Sequence, residues 1–202
     1  MDSALDKLFG AVEDGDVESA RLLIQQGDCL KDPAFATCAF FYDWTELAII
    51  RLLAEAGADI NAINDIGEWA LRNAAEEGDA EAVTYLLSVG ADPLLQNSLG
   101  TPIHMAVCSD KTEIVRLLLE AGANINAQDG DKWTCLWWAR SFEMAAFLLD
   151  HGADPSIPAW EYNYKPGPFP EDFESIPDAA RDLMRAQRLK LSNSSSSAPS
   201  SP

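Results

Sequence analysis

The chain of 202 residues repeats one pattern of apolar and polar positions five times. Each copy ends in an apolar run that a glycine closes: RLLIQQGD, RLLAEAGAD, TYLLSVGAD, RLLLEAGAN and AFLLDHGAD. These glycines are Gly27, Gly57, Gly90, Gly122 and Gly152, spaced 30, 33, 32 and 30 residues apart. A leucine lies four residues before each of them. The pattern predicts five apolar helices that end at a glycine C-cap, because a left-handed backbone costs glycine little.

A shorter helical stretch precedes each apolar helix. In the third copy Leu71, Ala74 and Ala75 share one face, and in the fourth copy Ile103 and Ala106 do so. Small alanines on an inner face let two helices approach closely. The repeating unit is therefore a helix, a tight turn, a second helix, a glycine and a polar loop, which predicts an all-α protein built from stacked repeats.

Two motifs resemble the ankyrin-repeat family. TPIHMA at residues 101–106 is similar to the family's TPLHxA signature, and GADINA and GANINA are similar to its repeat ending. The resemblance covers about residues 4–155. It implies an all-α solenoid of helix-turn-helix units with β-hairpin-like loops that project to one side. It also implies structural roles for Thr101 and for His104, which would hydrogen-bond locally and tie neighbouring loops.

We expect residues 1–155 to form five repeats, of which the first and second are atypical. The first lacks a TPLH element and begins with polar residues such as Ser3 and Asp6, as an N-terminal cap would. The second has bulky Phe40, Phe41 and Tyr42 where small alanines are usual, so its first helix should be short or irregular. The fifth is about three residues shorter between its two helices.

The composition changes after the fifth repeat. Prolines and aromatic residues dominate the start of residues 156–191, which we expect to form an extended connector and then a C-terminal capping helix. That helix would carry four of the chain's 14 basic residues. Residues 192–202 are rich in serine and should be disordered.

The formal net charge is −19, from 33 acidic and 14 basic residues. This balance argues against nucleic acid as a partner and favours a protein with a basic or mixed surface. The sequence shows no signal peptide and no apolar run long enough to span a membrane, so we expect a cytoplasmic or nuclear protein that is monomeric on its own. The four cysteines form no CxxC motif and are expected to be reduced thiols.

No arrangement of residues predicts catalysis, and we expect neither enzyme activity nor a cofactor or metal. His104 and Cys108 are four residues apart on one helix, as a base and a nucleophile could be, but the structural role of the histidine accounts for the spacing. Asn61 follows an apolar run in a context that resembles asparaginyl-hydroxylase substrates, and it is a candidate hydroxylation site. The alternative for Asn61 is a loop asparagine that makes turn hydrogen bonds.

The repeat phase separates inner positions from those that could contact a partner. Outward positions on the loops and first helices would form a concave binding face. They are Asp65, Ile66, Glu68, Trp69, Asn73, Glu76, Glu77, Leu99, Met105, Asp131, Trp133, Trp138 and Arg140. Trp137 is expected to be buried. Trp138 should be more exposed, and it either anchors a partner or is covered by residues 156–175.

These observations predict a non-catalytic protein–protein interaction module that acts as an adaptor, an inhibitor or a regulatory scaffold. The alternatives are a regulatory co-factor of transcription or of a biosynthetic pathway, and a host-directed effector. A small enzyme on a repeat scaffold is the competing class, and it would require a cluster of polar residues with perturbed pKa values.

Overall fold

The computed structural model describes residues 3–29, 47–64 and 67–157. These residues form nine helices and no strand, which confirms the all-α class. The helices are α1 (Ala4–Glu13), α2 (Val17–Gln26), α3 (Leu47–Glu55), α4 (Ala70–Glu77), α5 (Ala80–Ser88), α6 (Pro102–Cys108), α7 (Thr112–Glu120), α8 (Cys135–Trp138) and α9 (Phe142–Asp150). Within the described ranges, every helix falls short of the length and apolar character that crossing a bilayer requires.

The chain divides into two compact units. The first comprises Met1–Ala75 and Asp79–Pro93, and it contains α1, α2, α3, α5 and most of α4. The second comprises Glu76–Gly78 and Leu94–Pro202, and the helices described there include α6, α7, α8 and α9. In both units a short polar turn joins a first helix to a second helix, as the repeat pattern predicted.

Side-chain caps start the second helix of several repeats. The Asp16 carboxylate accepts the Ser19 amide at 3.0 Å at the start of α2, and the Ser141 hydroxyl accepts the Met144 amide at 3.0 Å at the start of α9. Asp79 caps α5 in the same way. These contacts satisfy amides that have no partner inside the helix, so short polar residues stop one helix and start the next.

The five repeat-ending glycines all have a positive φ, between 75° and 97°. At the end of α2, Gly27 is in the left-handed region and its amide donates to the Ile24 carbonyl at 3.0 Å. A residue with a β-carbon is strained in this conformation, which explains why the sequence keeps glycine at each position.

The inner faces inferred from the repeat phase are buried. Leu71 and Ala75 have no exposed surface in the first unit, and Ile103 and Ala106 have none in the second. In the fifth repeat the shortening falls on the first helix, because α8 has four residues whereas α6 has seven. The backbone leaves the helix at Ala139, where ψ is 121°.

Several expectations fall outside the described residues. They are the short or irregular first helix of the second repeat, the connector and capping helix after residue 157, and the serine-rich tail.

Candidate partner-binding site

The second unit contains a cleft of about 390 Å³ between the end of α6, the loop before α8, and α8 itself. The residues that line it are Cys108, Asp129, Asp131, Trp133, Trp137, Trp138 and Arg140. We call it the tryptophan cleft, because three of these side chains are indoles.

The carboxylate of Asp129 organises the cleft. Its Oδ1 accepts the backbone amides of Asp131 and Trp133, each at 2.9 Å, and its Oδ2 accepts the indole N–H of Trp138 at 2.9 Å. The Asp129 amide donates to the Trp133 carbonyl at 2.9 Å, which closes the loop. Asp129 is only 8% exposed, so this one carboxylate sets both the shape of the loop and the position of the Trp138 ring.

His104 joins this loop to the preceding one. Its Nδ1 accepts the Thr101 amide at 3.2 Å, and its Nε2 lies 3.3 Å from the Trp133 carbonyl. Because a carbonyl only accepts, Nε2 carries the proton and the ring is neutral. Burial of the imidazole lowers its pKa, and the nearby Trp133 carbonyl opposes part of that effect. His104 is therefore a structural tie between the two loops.

The same two loops touch through their backbones. The Gly130 amide donates to the Ser98 carbonyl at 2.9 Å, and a β-carbon on Gly130 would lie 2.7 Å from that oxygen. Leu99 follows Ser98 and is 49% exposed. The loop tips therefore lie side by side, and Leu99 extends the surface next to the loop that forms the cleft.

The tryptophan rings are arranged edge to face. The Trp133 and Trp137 ring centroids are 5.9 Å apart with an interplanar angle of 75°, and the Trp138 and His104 rings are also 5.9 Å apart at 77°. Trp137 is 9% exposed, whereas Trp133 and Trp138 are half-buried. The predicted order of exposure for the adjacent pair is confirmed, and both members line the cleft.

Four residues expected at a binding surface meet at the tryptophan cleft. They are Asp131, Trp133, Trp138 and Arg140, of which Asp131 and Arg140 are exposed. The repeat phase predicts only that Trp137 is buried, and no feature of the sequence predicts that Asp129 holds the cleft loop. The spacing between Asp129 and Trp138 does not indicate their hydrogen bond, because the chain turns through a loop between them.

The cleft lining includes none of the other expected residues that the structure describes. Glu76 and Glu77 are exposed on α4, Asn73 is half-buried there, and Asp65 and Ile66 lie outside the described residues. Glu68 is half-buried, and its carboxylate lies 3.7 Å from the guanidinium of buried Arg72, so its first role is to neutralise that charge.

Two of the expected contact residues are buried and do not offer surface to a partner in this structure. Trp69, which directly precedes α4, is 0% exposed because its ring is part of the core of the first unit. Met105 is 4% exposed because α6 is enclosed on all sides, with every residue from Pro102 to Val107 buried. The repeat phase alone does not reveal this enclosure.

Asn61 and Asn126 tie the ends of consecutive repeats. The Asn61 side-chain amide donates to the Gly90 carbonyl at 3.1 Å and accepts the Asp92 amide at 2.8 Å. Asn126 likewise accepts the Asp154 amide at 2.8 Å. Both the NH₂ group and the carbonyl oxygen of the Asn61 side chain therefore have a structural role. Hydroxylation of Asn61 stays a prediction.

No group of three or more His, Cys, Asp or Glu side chains that could hold a metal ion occurs among the described residues. Cys135 is fully buried at the start of α8, and that burial raises the pKa of its thiol. A thiol of this kind is a core residue and not a nucleophile.

Comparison with known proteins decides the family. A sequence profile of three ankyrin repeats matches residues 71–159, and a second ankyrin-repeat profile matches residues 37–87. The chain belongs to the ankyrin-repeat family. Its fold is the all-α ankyrin solenoid, and ankyrin repeats are in general non-catalytic protein–protein interaction modules.

Proteins of very different length are similar to this chain. The chain is 31% identical to ankyrin repeat and SOCS box protein 6 of Pongo abelii over 76% of its own length and 45% of that protein. It is 41% identical to the neurogenic locus Notch protein of Drosophila melanogaster over 54% of its length and 4% of that protein. It is 38% identical to the potassium channel AKT1 of Arabidopsis thaliana over 39% of its length and 9% of that protein. The chain thus spans less than half the length of each.

Proposed function

We propose that this ankyrin-repeat protein acts as a non-catalytic adaptor or inhibitor that binds a protein partner through the surface around the tryptophan cleft. The observation that carries the proposal is the grouping of Trp133, Trp137 and Trp138 with Asp131 and Arg140 around one concave site. Tryptophan and arginine are the residues most enriched among those that dominate binding energy at protein interfaces.

The geometry of the site supports this function. Asp129 holds the cleft loop and the Trp138 ring in place before any partner arrives. A preformed site loses less conformational entropy on binding than one that must be ordered. Exposed Leu99 on the adjacent loop adds apolar surface beside the cleft, which an interface larger than a single side chain requires.

The charge of the surface favours a partner with basic residues. Asp131 is exposed at the cleft, and the whole chain carries a net charge of −19. Complementary charge accelerates association and selects against acidic partners. Glu76 and Glu77, which are exposed on α4, belong to the wider surface that we propose for the same partner.

Affinity purification with the full chain from its native cells, followed by mass spectrometry and direct binding of the purified partner, tests the proposal. Asp131→Lys reverses an exposed charge of the cleft and should abolish or strongly weaken binding of a basic partner. Arg140→Glu removes the opposing positive charge of the lining and should strengthen that binding. Glu143→Lys on α9 is the matched control, since it makes the same charge change as Asp131→Lys at an exposed residue outside the cleft lining. A partner that binds both cleft variants as tightly as the wild type would refute the assignment of this surface.

A further inference from the structure

The chemistry of the tryptophan cleft matches one kind of side chain. Its lining combines three indoles with the carboxylates of Asp129 and Asp131. Indole faces carry negative electrostatic potential and attract cations, most strongly where water is excluded. Both kinds of lining group therefore favour a positive charge, and an anion would be repelled by both.

The roles of the two carboxylates differ. Asp129 is buried and accepts three hydrogen bonds from the loop and from Trp138, so it acts as a fixed negative charge in the cleft lining. Asp131 is exposed at the cleft, and the contact that defines its position is made by its backbone amide. The Asp131 carboxylate is therefore the group that can turn to meet a donor on a ligand.

Arg140 is the cationic residue of the lining, and it opposes a cationic ligand. It is exposed, and a long arginine side chain can keep its guanidinium in water while its stem lines a cleft. One arginine against two aspartates leaves the lining with a net negative charge, which the indoles reinforce.

Hydrogen-bond capacity decides which cation fits. A guanidinium brings five N–H donors and an unmodified ammonium brings three, and each donor that loses water without finding an acceptor costs free energy. The indoles of the lining are poor acceptors, and Asp131 supplies the accessible carboxylate. A methyl group in place of an N–H removes a donor and adds apolar surface that contacts indole. The cleft therefore suits an ammonium better than a guanidinium, and a partly methylated ammonium better still.

We propose that the tryptophan cleft binds the ammonium end of a lysine side chain on a protein partner, and that N-methylation of this lysine strengthens the binding. The inference rests on the proposed function, because it names the chemistry by which the partner is recognised.

Calorimetric titration of the full chain with four short peptides tests the proposal. The peptides share one neutral sequence and differ at the central residue, which is norleucine, lysine, dimethyllysine or arginine. We expect dimethyllysine to bind about tenfold or more tighter than norleucine, with lysine between them, since desolvated cation–π contacts supply energies of this order. Norleucine has the length of the lysine stem without the charge, so it isolates the contribution of the ammonium.

Two variants connect the binding to the cleft. Asp131→Asn should weaken binding of the lysine and dimethyllysine peptides about two- to fivefold, the loss expected for one exposed charge partner, and should leave norleucine unchanged. Glu143→Gln on α9 removes one exposed carboxylate outside the cleft and should leave every affinity unchanged. Trp133→Leu keeps an apolar side chain and removes the indole, so it should abolish the preference for dimethyllysine. If Trp133→Leu does not fold, the comparison of Asp131→Asn with Glu143→Gln decides the question.

Three results would overturn the proposal. Equal binding of norleucine and dimethyllysine would show a plain apolar groove, and equal binding of arginine and dimethyllysine would show a site without preference for ammonium. No binding of any peptide at millimolar concentration would also overturn it, as when residues 158–202 or a second copy of the chain fills the cleft. If none of the peptides binds while Asp131→Lys still abolishes binding of the natural partner, the proposed interaction function stands. The proposal that the cleft recognises a lysine ammonium is then wrong.

Discussion

Removal of the Asp129 carboxylate is the sharpest test of how the cleft is built. In Asp129→Ala the amides of Asp131 and Trp133 and the indole N–H of Trp138 all lose their acceptor. Asp129 is 8% exposed, so water reaches these donors poorly. The variant should therefore be strongly destabilised although it removes only a small polar side chain.

The magnitude follows from the number of bonds. A net value of about 1 to 1.5 kcal/mol for each of the three bonds to the carboxylate gives roughly 3 to 4.5 kcal/mol, and the loss of a buried charge that had to be desolvated offsets part of it. We expect a loss of about 3 kcal/mol. At a typical urea dependence of about 2 kcal/mol per molar, this loss lowers the unfolding midpoint by about 1 to 2 M.

Asp129→Asn distinguishes the roles of the two carboxylate oxygens of Asp129. Its remaining carbonyl oxygen can still accept the Asp131 and Trp133 amides, but its NH₂ group replaces the oxygen that faces the Trp138 indole N–H. Because one bond is lost and not three, we expect a cost of about 1 kcal/mol. The Trp138 indole proton should shift in the NMR spectrum while the loop amides keep their positions.

Urea unfolding followed by circular dichroism measures both variants against the wild type. If Asp129→Ala lies within 0.5 kcal/mol of the wild type, a value about the size of ordinary surface effects, the carboxylate does not organise the loop. If Asp129→Asn is as unstable as Asp129→Ala, the carbonyl oxygen of asparagine does not replace Oδ1, and the assignment of the two oxygens is wrong.

Three further predictions concern the same unit. Burial lowers the pKa of His104, so the unfolded state binds its proton first as the pH falls below the ordinary value of 6.5. The free energy of unfolding should therefore decrease as the pH falls from 7 towards the lower pKa of His104 in the native state. His104→Gln should remove this contribution to the pH dependence, and urea midpoints at several pH values will measure it. Gly100→Ala would place a β-carbon 2.7 Å from the His104 ring at a φ of 108°, whereas Gly122→Ala has a φ of 94° and open space. We expect a cost of about 1 kcal/mol for Gly122→Ala and at least about 2 kcal/mol for Gly100→Ala in thermal melts, and equal costs would contradict the close packing. Burial raises the pKa of the Cys135 thiol, so iodoacetamide at pH 8 should label half-buried Cys108 well before Cys135, as peptide mass spectrometry will show.

The fold could be predicted from the sequence because its signals are local and repeated. A glycine after an apolar run ends a helix through its backbone conformation alone. Five copies at regular spacing support the prediction of helix ends at these positions. The shortening of the fifth repeat was also visible in the spacing between Leu136 and Gly152, but only the structure places the loss in the first helix of that repeat.

The lining of the tryptophan cleft could be predicted only in part. Asp131, Trp133, Trp138 and Arg140 lie together because the repeat phase places loop and first-helix positions on one side of the unit. Trp69 shows the limit of that reasoning, since it occupies a position that is outward by phase and yet has no exposed surface. Whether an aromatic ring turns outward or inward depends on the space left by neighbouring helices, and periodicity contains no information on that space.

The sequence by itself determined the helical repeat, the glycine caps and the burial of Trp137 beside a more exposed Trp138, because each depends on neighbours a few residues away. Only the tertiary structure decided that Asp129 accepts the Trp138 indole N–H and that His104 joins two loops across 29 residues. Those contacts depend on where loops from consecutive repeats meet. Because of these contacts, the adjacent Trp137 and Trp138 both line one cleft that also contains charged side chains.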